Sequence, residues 1–286
     1  MKKILYAFIV LMTFTSCAKS YYIQGSSNIS NLDGRKLYLK GGSADTLITI
    51  DSCDVVHGEF AFRGTLDSVQ IVQVYMDDMN LQFPLVLEEG NIHLKLDNTQ
   101  LNVSGTPLND KLNTFWKKFT QLRNQYVEID HEEGAAIMNG YDEQATDARL
   151  IKKALQVYAN IDKLFTAFVT ENFDNALSPW GFLTRVSYDM TPNAYPVWMN
   201  DYLYMNAISQ LPSWVEFIIA KAPDSFKANS AIKDFYENFQ RAQKEMNGME
   251  MPAQEPMQTG MAETPNSDIV PPTPAEMAGD TLTARQ

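Results

Sequence analysis

The residues best suited to nucleophilic, redox or metal chemistry are few in this chain of 286 residues, which holds two cysteines and three histidines. Cys53 supports two interpretations: a redox or intermolecular-disulfide cysteine in an oxidising compartment, or a small, half-buried strand side chain. We favour the second. Dithiol exchange needs an attacking and a resolving cysteine, so a lone thiol at this position would not complete such a cycle.

The segment Asp130-His131-Glu132-Glu133 gathers three carboxylates and an imidazole, which suggests a metal site. Metal ligands on one helix usually lie three or four residues apart, because consecutive side chains point in different directions. His57 is expected in a turn and His93 on a strand, and nothing in the sequence brings either near this segment. We therefore expect a solvated acidic loop and no metal.

Motifs of known enzyme classes are missing from the sequence. It contains no G-x-S-x-G elbow and no Walker or Rossmann glycine pattern. Glycan hydrolysis needs two acids held about 5–10 Å apart, and the sequence nominates no such pair. The net charge of −12 argues against nucleic-acid binding, which needs basic patches. We predict a protein that is not an enzyme and holds no cofactor, and we keep a glycan hydrolase acting through paired carboxylates as a third, weaker hypothesis.

Aromatic residues are dense in the second half of the chain and are the best candidates for a binding surface. Tyr and Trp dominate interface hot spots and stack on sugars or apolar peptides, but they also fill helical cores. We favour core packing and keep the binding surface as the alternative. The residues concerned are Trp180, Tyr188, Tyr195, Trp198, Tyr202, Tyr204 and Trp214.

The N-terminus has the pattern of an export signal. Two lysines precede eleven mostly apolar residues, 4–14, which are too short to span a bilayer. Thr15-Ser16-Cys17 then resembles the lipobox of bacterial lipoproteins. The resemblance implies that residues 1–16 are removed and that Cys17 carries acyl chains such as palmitate, which attach the protein to a membrane. The alternative is a plain secretory signal cleaved near Ala18.

The lipoprotein resemblance also implies a location. Residues 17–20 would form a lipidated tether, and no acidic run follows Cys17 of the kind that resembles a surface-export signal. We therefore expect the protein at the outer membrane, facing the periplasm. If Cys17 is acylated, Cys53 is the only free thiol.

Residues 21–105 have the pattern of short strands separated by turns. Strand starts recur roughly every 8–12 residues with no helix between them, which predicts an antiparallel β-sandwich or open barrel. Pro84 cannot donate to a strand ladder, so its strand should lie at an edge or carry a bulge. The predicted strands are 37–39, 47–50, 60–62, 69–74, 81–87 and 92–96.

Residues 106–245 change to helical periodicity, and the class expected for the whole chain is α+β. Pro107 suits the first turn of a helix. Residues 246–286 are rich in Pro and Met and lack aromatic residues, so we expect a disordered, acidic tail. Within it, Asp280-Thr281-Leu282 resembles an O-glycosylation sequon of Bacteroidota. The predicted helices lie near 107–122, 142–173, 180–188, 201–210, 214–220 and 230–244.

Several short motifs resemble one family. Residues 51–64 resemble the core of an uncharacterised β-domain that heads many thiol-disulfide oxidoreductase lipoproteins of Bacteroidota. Residues 37–39, 85–92 and 103–110 follow in that family's order. The family continues into a thioredoxin-like domain with a C-x-x-C pair, whereas this chain continues into the Pro/Met segment, so its redox activity is not carried over. We expect a binding or scaffold module for an envelope partner; the alternative is an accessory to such an oxidoreductase, acting through Cys53.

Overall fold

In the computed structural model, residues 19–43, 46–76, 81–97, 101–192, 194–246 and 248 are described. The predicted signal peptide, the lipid site Cys17 and the glycosylation site Thr281 lie outside the described residues, as does nearly all of the predicted tail. Within the described part, strands run from Lys19 to Ser104 and helices from Pro107 to Met246. This confirms the α+β class and the change from strand to helix near residue 106.

The strands include every stretch that the sequence predicts, and two more. The additional ones are β1 and β8, which lie at the two limits of the strand region. The bounds are β1 Lys19–Ser27, β2 Lys36–Ser43, β3 Thr46–Asp54, β4 Glu59–Leu66, β5 Gln70–Met76, β6 Leu81–Leu87, β7 Gly90–Leu96 and β8 Leu101–Ser104.

In the described residues, these strands form two four-stranded sheets, ordered β4-β1-β7-β8 and β3-β2-β5-β6. Alternate side chains such as Ile23, Phe62 and Leu94 are buried, as expected for a sandwich with one core-facing side per sheet. Strand β6 lies at a sheet edge, which confirms the prediction for Pro84.

The expectation of a wholly antiparallel sandwich is wrong in one place. Strand β1 runs antiparallel to β4 but parallel to β7, with Ile23 opposite Ile92. Turn residues predict how strands adjacent in sequence pair, but β1 and β7 are far apart in sequence. No local signal in the sequence could therefore show that β1 inserts between β4 and β7.

Several helices are longer than the periodicity predicts, and residues 224–227 form a short helix that it does not predict. Helix α1 continues well past residue 122, and the stretches predicted at 201–210 and 214–220 form the single helix α4 with Pro212 inside it. The buried stripe Leu211, Val215 and Ile218 crosses the proline without a change of phase, which explains why the helix is continuous. The bounds are α1 Pro107–Met138, α2 Glu143–Glu171, α3 Leu177–Asp189, α4 Asn200–Lys221, α5 Asp224–Lys227 and α6 Ser230–Met246.

The acidic segment 130–133 lies inside α1, which corrects the prediction of a loop. Its Glu132 carboxylate pairs with Arg149 and Lys153 of α2, on the neighbouring antiparallel helix. The segment is one stretch of the continuous helix Pro107–Met138, and the partners of Glu132 lie too far along the chain to be seen in the local sequence. Among the described helices, none is both long and apolar enough to cross a membrane.

A polar joint connects the sandwich to α1. The Asn109 amide accepts from the Val86 backbone N–H at 2.9 Å and donates to the Val86 carbonyl at 2.8 Å, so it pairs with β6 as another strand would. The Glu88 carboxylate accepts from the backbone N–H groups of Leu108 and Asn109 at 2.9 and 3.1 Å, in the first turn of the helix. Both side chains are buried.

By their contacts, the strands and helices up to Phe239 form one compact unit. The chain from Gln240 onwards belongs to a second unit, of which residues 240–246 and 248 are described.

Candidate functional site

The Cys53 thiol lies half-buried on β3, where Leu37 is its neighbour on β2. Burial raises the pKa of Cys53 to about 11, and the nearby Asp51 and Asp54 add to the rise, against a hydrogen bond with the Ala61 backbone that lowers it. A thiol with this pKa is almost entirely protonated at neutral pH and is a weak nucleophile. This environment favours the structural interpretation of Cys53 over the redox one.

Most of the predicted aromatic binding surface packs into the helical core. Tyr195 and Trp214 are buried, and Trp180, Tyr188, Trp198 and Tyr204 are partly buried against the core. Only Tyr202 of the seven has most of its possible surface exposed. Of the predicted aromatic surface, only Tyr202 is therefore available to a partner over most of its side chain, because the other rings pack against the core.

Specific ring contacts show why these aromatics are interior. The Trp180 ring meets Phe115 edge-on at 5.9 Å between centroids. The Trp214 ring stacks on Phe182 at 5.3 Å, and its indole N–H donates to Thr166 Oγ1 at 2.8 Å. Offset and edge-on pairs of this kind stabilise helical cores.

A buried polar cluster, which the sequence did not reveal, lies among α1, α2 and α3. Its centre is an ion pair between Arg185 and Asp189, which are one helical turn apart on α3 and joined at 2.7 Å. Arg185 Nη2 also contacts Tyr158 Oη at 2.9 Å and Asp162 Oδ1 at 3.3 Å. We call this set, together with Tyr126, Tyr188 and Tyr195, the tyrosine–arginine cluster.

Several polar atoms of the tyrosine–arginine cluster have no hydrogen-bond partner among the described residues. They are the hydroxyls of Tyr126, Tyr188 and Tyr195, Arg185 Nη1 and Asp189 Oδ1. Burial raises the pKa of Tyr188 to about 12, and the pKa values of Tyr126 and Tyr195 are raised further for the same reason, so all three hydroxyls keep their protons at neutral pH. The cluster thus offers donors from the hydroxyls and the guanidinium and one carboxylate acceptor.

Apolar side chains are exposed around the connection between α3 and α4. Val197, in the short 3-10 turn before α4, is 92% exposed, and Met205 and Tyr202 on α4 are 63% and 52% exposed. Tyr202 and Met205 are three residues apart and share one side of the helix. We call these three, with the exposed Met190 at the end of α3, the α3–α4 patch. No local signal in the sequence marks Val197, Met190 and Met205, because apolar residues of this kind are usually buried and their exposure depends on the fold.

Two grooves complete the candidates. One, of about 430 Å³, runs between α1 and α2, with an apolar floor at Phe115 and Phe168 and lysines 111 and 118 at its rim. The other, of about 450 Å³, crosses the polar outer side of β1 and β7 near His93 and Lys95. The described residues contain no group of three or more His, Cys, Asp or Glu that could hold a metal ion.

Residues 21–112 match a family model described as a domain of unknown function, DUF4369. They form a DUF4369 domain that runs from β1 into the second turn of α1 and so includes the joint at Asn109. No curated protein matches the chain.

The motif residues of this domain have structural roles. Phe60 and Phe62 are buried and meet edge-on at 6.1 Å. A Cβ atom at Gly64 would approach the Tyr21 ring at about 3.0 Å, so this position has room only for glycine. These three motif residues therefore serve the packing of the domain.

Proposed function

We propose that this protein is a non-enzymatic, lipid-anchored component of the cell envelope that binds another envelope protein through the α3–α4 patch. The observation that carries the proposal is the exposure of Val197, Tyr202 and Met205 beside a well-packed helical core. Single exposed apolar residues are ordinary, but several within nine residues of chain are a feature of interaction surfaces. Aromatic and Met side chains are also enriched at interface cores.

The helices beneath the patch give it a rigid support. Tyr195, Met199 and Leu203 alternate with the exposed residues and are buried in the core. These buried neighbours fix the backbone that carries the patch, so little ordering of the main chain would oppose binding.

In this proposal, Cys17 is acylated, as the lipobox resemblance implies, and attaches the protein to the outer membrane on its periplasmic side. The DUF4369 match supports an uncharacterised domain over residues 21–112, and the link to thiol-disulfide oxidoreductase lipoproteins rests on the motif resemblance alone. The alternative, an accessory that forms a mixed disulfide through Cys53, is opposed by the half-buried thiol and its pKa of about 11.

Photocrosslinking in intact cells tests the proposal. A photoreactive side chain replaces Val197 in one variant and Met138 in the other; Met138 is 89% exposed at the end of α1 and is a matched control. We expect a discrete adduct from position 197 only, weakened when Met205 and Tyr202 are changed to Ser. Equal adducts from both positions would contradict the proposal.

The same photocrosslinking experiment in a Cys53→Ser background distinguishes the proposed binding role from the redox alternative. The Val197 adduct should persist in the Cys53→Ser background, and non-reducing gels should show no Cys53-dependent species. A partner that is lost only with Cys53→Ser would mean that the thiol does the chemistry and that the accessory role is correct.

A further inference from the structure

The sandwich has two ends, and the strand registers show which residues lie at each. Strand β1 begins at Lys19, opposite Leu66 at the close of the antiparallel β4. We call this the proximal end, because the chain enters the domain here. Only Ala18 lies between Cys17 and Lys19, so the Cα atoms of these two residues are at most about 7 Å apart.

The start of β3 also lies at the proximal end. Strands β3 and β4 are joined by a tight turn with a bridge between Val56 and Glu59, and farther along the Arg63 backbone N–H donates to Asp51 Oδ2 at 3.3 Å. Because the two strands run in opposite directions from that turn, the first residues of β3 lie level with the last residues of β4.

A second path through the sheet agrees. Ile48 on β3 lies opposite Gly41 on β2, and Gly41 lies opposite Val72 on β5. Val69 directly precedes β5, in the turn after β4. Ile48 and Val69 are therefore at the same end of the domain as the chain entrance.

This end exposes apolar side chains. Ile48 is 65% exposed, and Leu47, Ile50 and Val69 are also exposed. The stretch 47–50 holds no charge and lies on an edge strand, whereas edge strands are usually protected by charged residues. We call Leu47, Ile48, Ile50 and Val69 the proximal patch.

We propose that the proximal patch rests in the interface of the bilayer to which Cys17 is anchored. The inference depends on the proposed acylation of Cys17. With so short a tether, the proximal end stays within a few ångströms of the headgroups, and apolar side chains held there enter the boundary between headgroups and acyl chains. The net charge of −12 makes attraction to anionic lipid an unsuitable driving force, so the contact is apolar and insensitive to salt.

An environment-sensitive nitrobenzoxadiazole probe tests this contact on the full lipidated protein in phosphatidylcholine vesicles. The probe is attached at Ile48→Cys or Val56→Cys, each in a Cys53→Ser background. Val56 is 59% exposed and lies in the turn at the opposite end of β3, which makes it a matched control. We expect a blue-shifted emission at position 48 and several-fold stronger quenching by doxyl-labelled lipids than at position 56, unchanged by salt.

Three results would overturn the inference, and they are distinguishable. Equal emission and quenching at both positions in a protein whose intact mass includes the lipid would refute the bilayer contact and leave the anchor standing. A blue shift at position 48 without vesicles would indicate that a second copy of the chain covers the patch. An intact mass without lipid would refute the anchor itself, and the inference with it.

Discussion

The β-sandwich and the helical module differ in how completely their buried polar groups are paired. At the edge of the sandwich, the buried Asn109 and Glu88 side chains form hydrogen bonds with backbone groups of β6 and of the first turn of α1. Among the described residues, every buried side-chain nitrogen or oxygen without a partner lies in the helical module, between Asn113 and Asn206.

This difference indicates which region uses its polar side chains to stabilise the fold and which region leaves some of them unpaired. In the DUF4369 domain, Phe60 and Phe62 are buried and Gly64 packs against the Tyr21 ring. Asn109 and Glu88 pair with backbone groups there. In the helical module, several side-chain polar atoms are buried without partners among the described residues, whereas both regions expose some apolar side chains. Buried unpaired groups reduce stability, so a region that retains them is a better candidate for interaction than one that has paired them all.

The largest expected effect comes from breaking the ion pair at the centre of the tyrosine–arginine cluster. Arg185→Met leaves the Asp189 carboxylate buried without its charged partner, and we expect the free energy of unfolding to fall by about 3–5 kcal/mol. Urea denaturation measures it. Arg149→Met, which removes an exposed partner of Glu132, is the control and should change stability by less than about 1 kcal/mol.

The double variant Arg185→Met/Asp189→Leu sharpens the result. It removes both charges, so stability should recover in large part relative to Arg185→Met alone. A double variant no more stable than the single one would show that the loss came from packing and not from the unpaired carboxylate.

The second effect concerns the joint of the sandwich. Asn109→Ala removes both hydrogen bonds to Val86 and leaves a buried backbone N–H and carbonyl unpaired, so we expect a loss of about 2–4 kcal/mol. Asn139→Ala is the matched control, because it removes a solvent-exposed hydrogen bond from the Asn139 side-chain amide to the Ala135 carbonyl at the end of α1. Equal losses of unfolding free energy in the two variants would show that the buried hydrogen bonds of the joint stabilise the protein no more than the exposed one at the end of α1.

A third effect compares two tyrosines of the cluster. Tyr158→Phe removes a hydroxyl that bonds to Arg185 and Asp189, and should lower stability by about 1–2 kcal/mol. Tyr195→Phe removes a hydroxyl without a protein partner, and should leave stability unchanged or raise it slightly. Thermal unfolding of both variants measures the difference. A Tyr195→Phe loss as large as that of Tyr158→Phe would mean that the hydroxyl is satisfied in solution.

The smallest effect is a pH-dependent one at the exposed edge of the helical module. Hydrogen bonds from Lys153 and Arg149 lower the pKa of Glu132 below 4.5. A carboxylate with a lowered folded-state pKa stabilises above its unfolded pKa, and this contribution is lost as the pH falls through the folded value. Glu132→Gln should therefore cost less than about 1 kcal/mol at pH 7 and nothing near pH 2. A cost that persists at pH 2 would contradict the ionic origin.

Much of the local architecture follows from the sequence alone. The strands from Leu37 to Leu96 are predicted by β-branched and aromatic runs between turn residues, and the start of α1 by Pro107 and the change of period. The edge position of Pro84 follows from its missing N–H. These features depend on a residue and its near neighbours, so the local sequence is sufficient for them.

Other features were decided only by tertiary structure. Three features depend on partners distant in the sequence. They are the parallel pairing of β1 with β7, the ion pairs of Glu132 with α2, and the continuity of α4 through Pro212. The tyrosine–arginine cluster is of the same kind, since Arg185 and Asp189 resemble a surface pair until the neighbouring helices bury them. The sequence determines which side chains are apolar or charged. Which of them come into contact depends on how helices and strands that are distant in the sequence pack together.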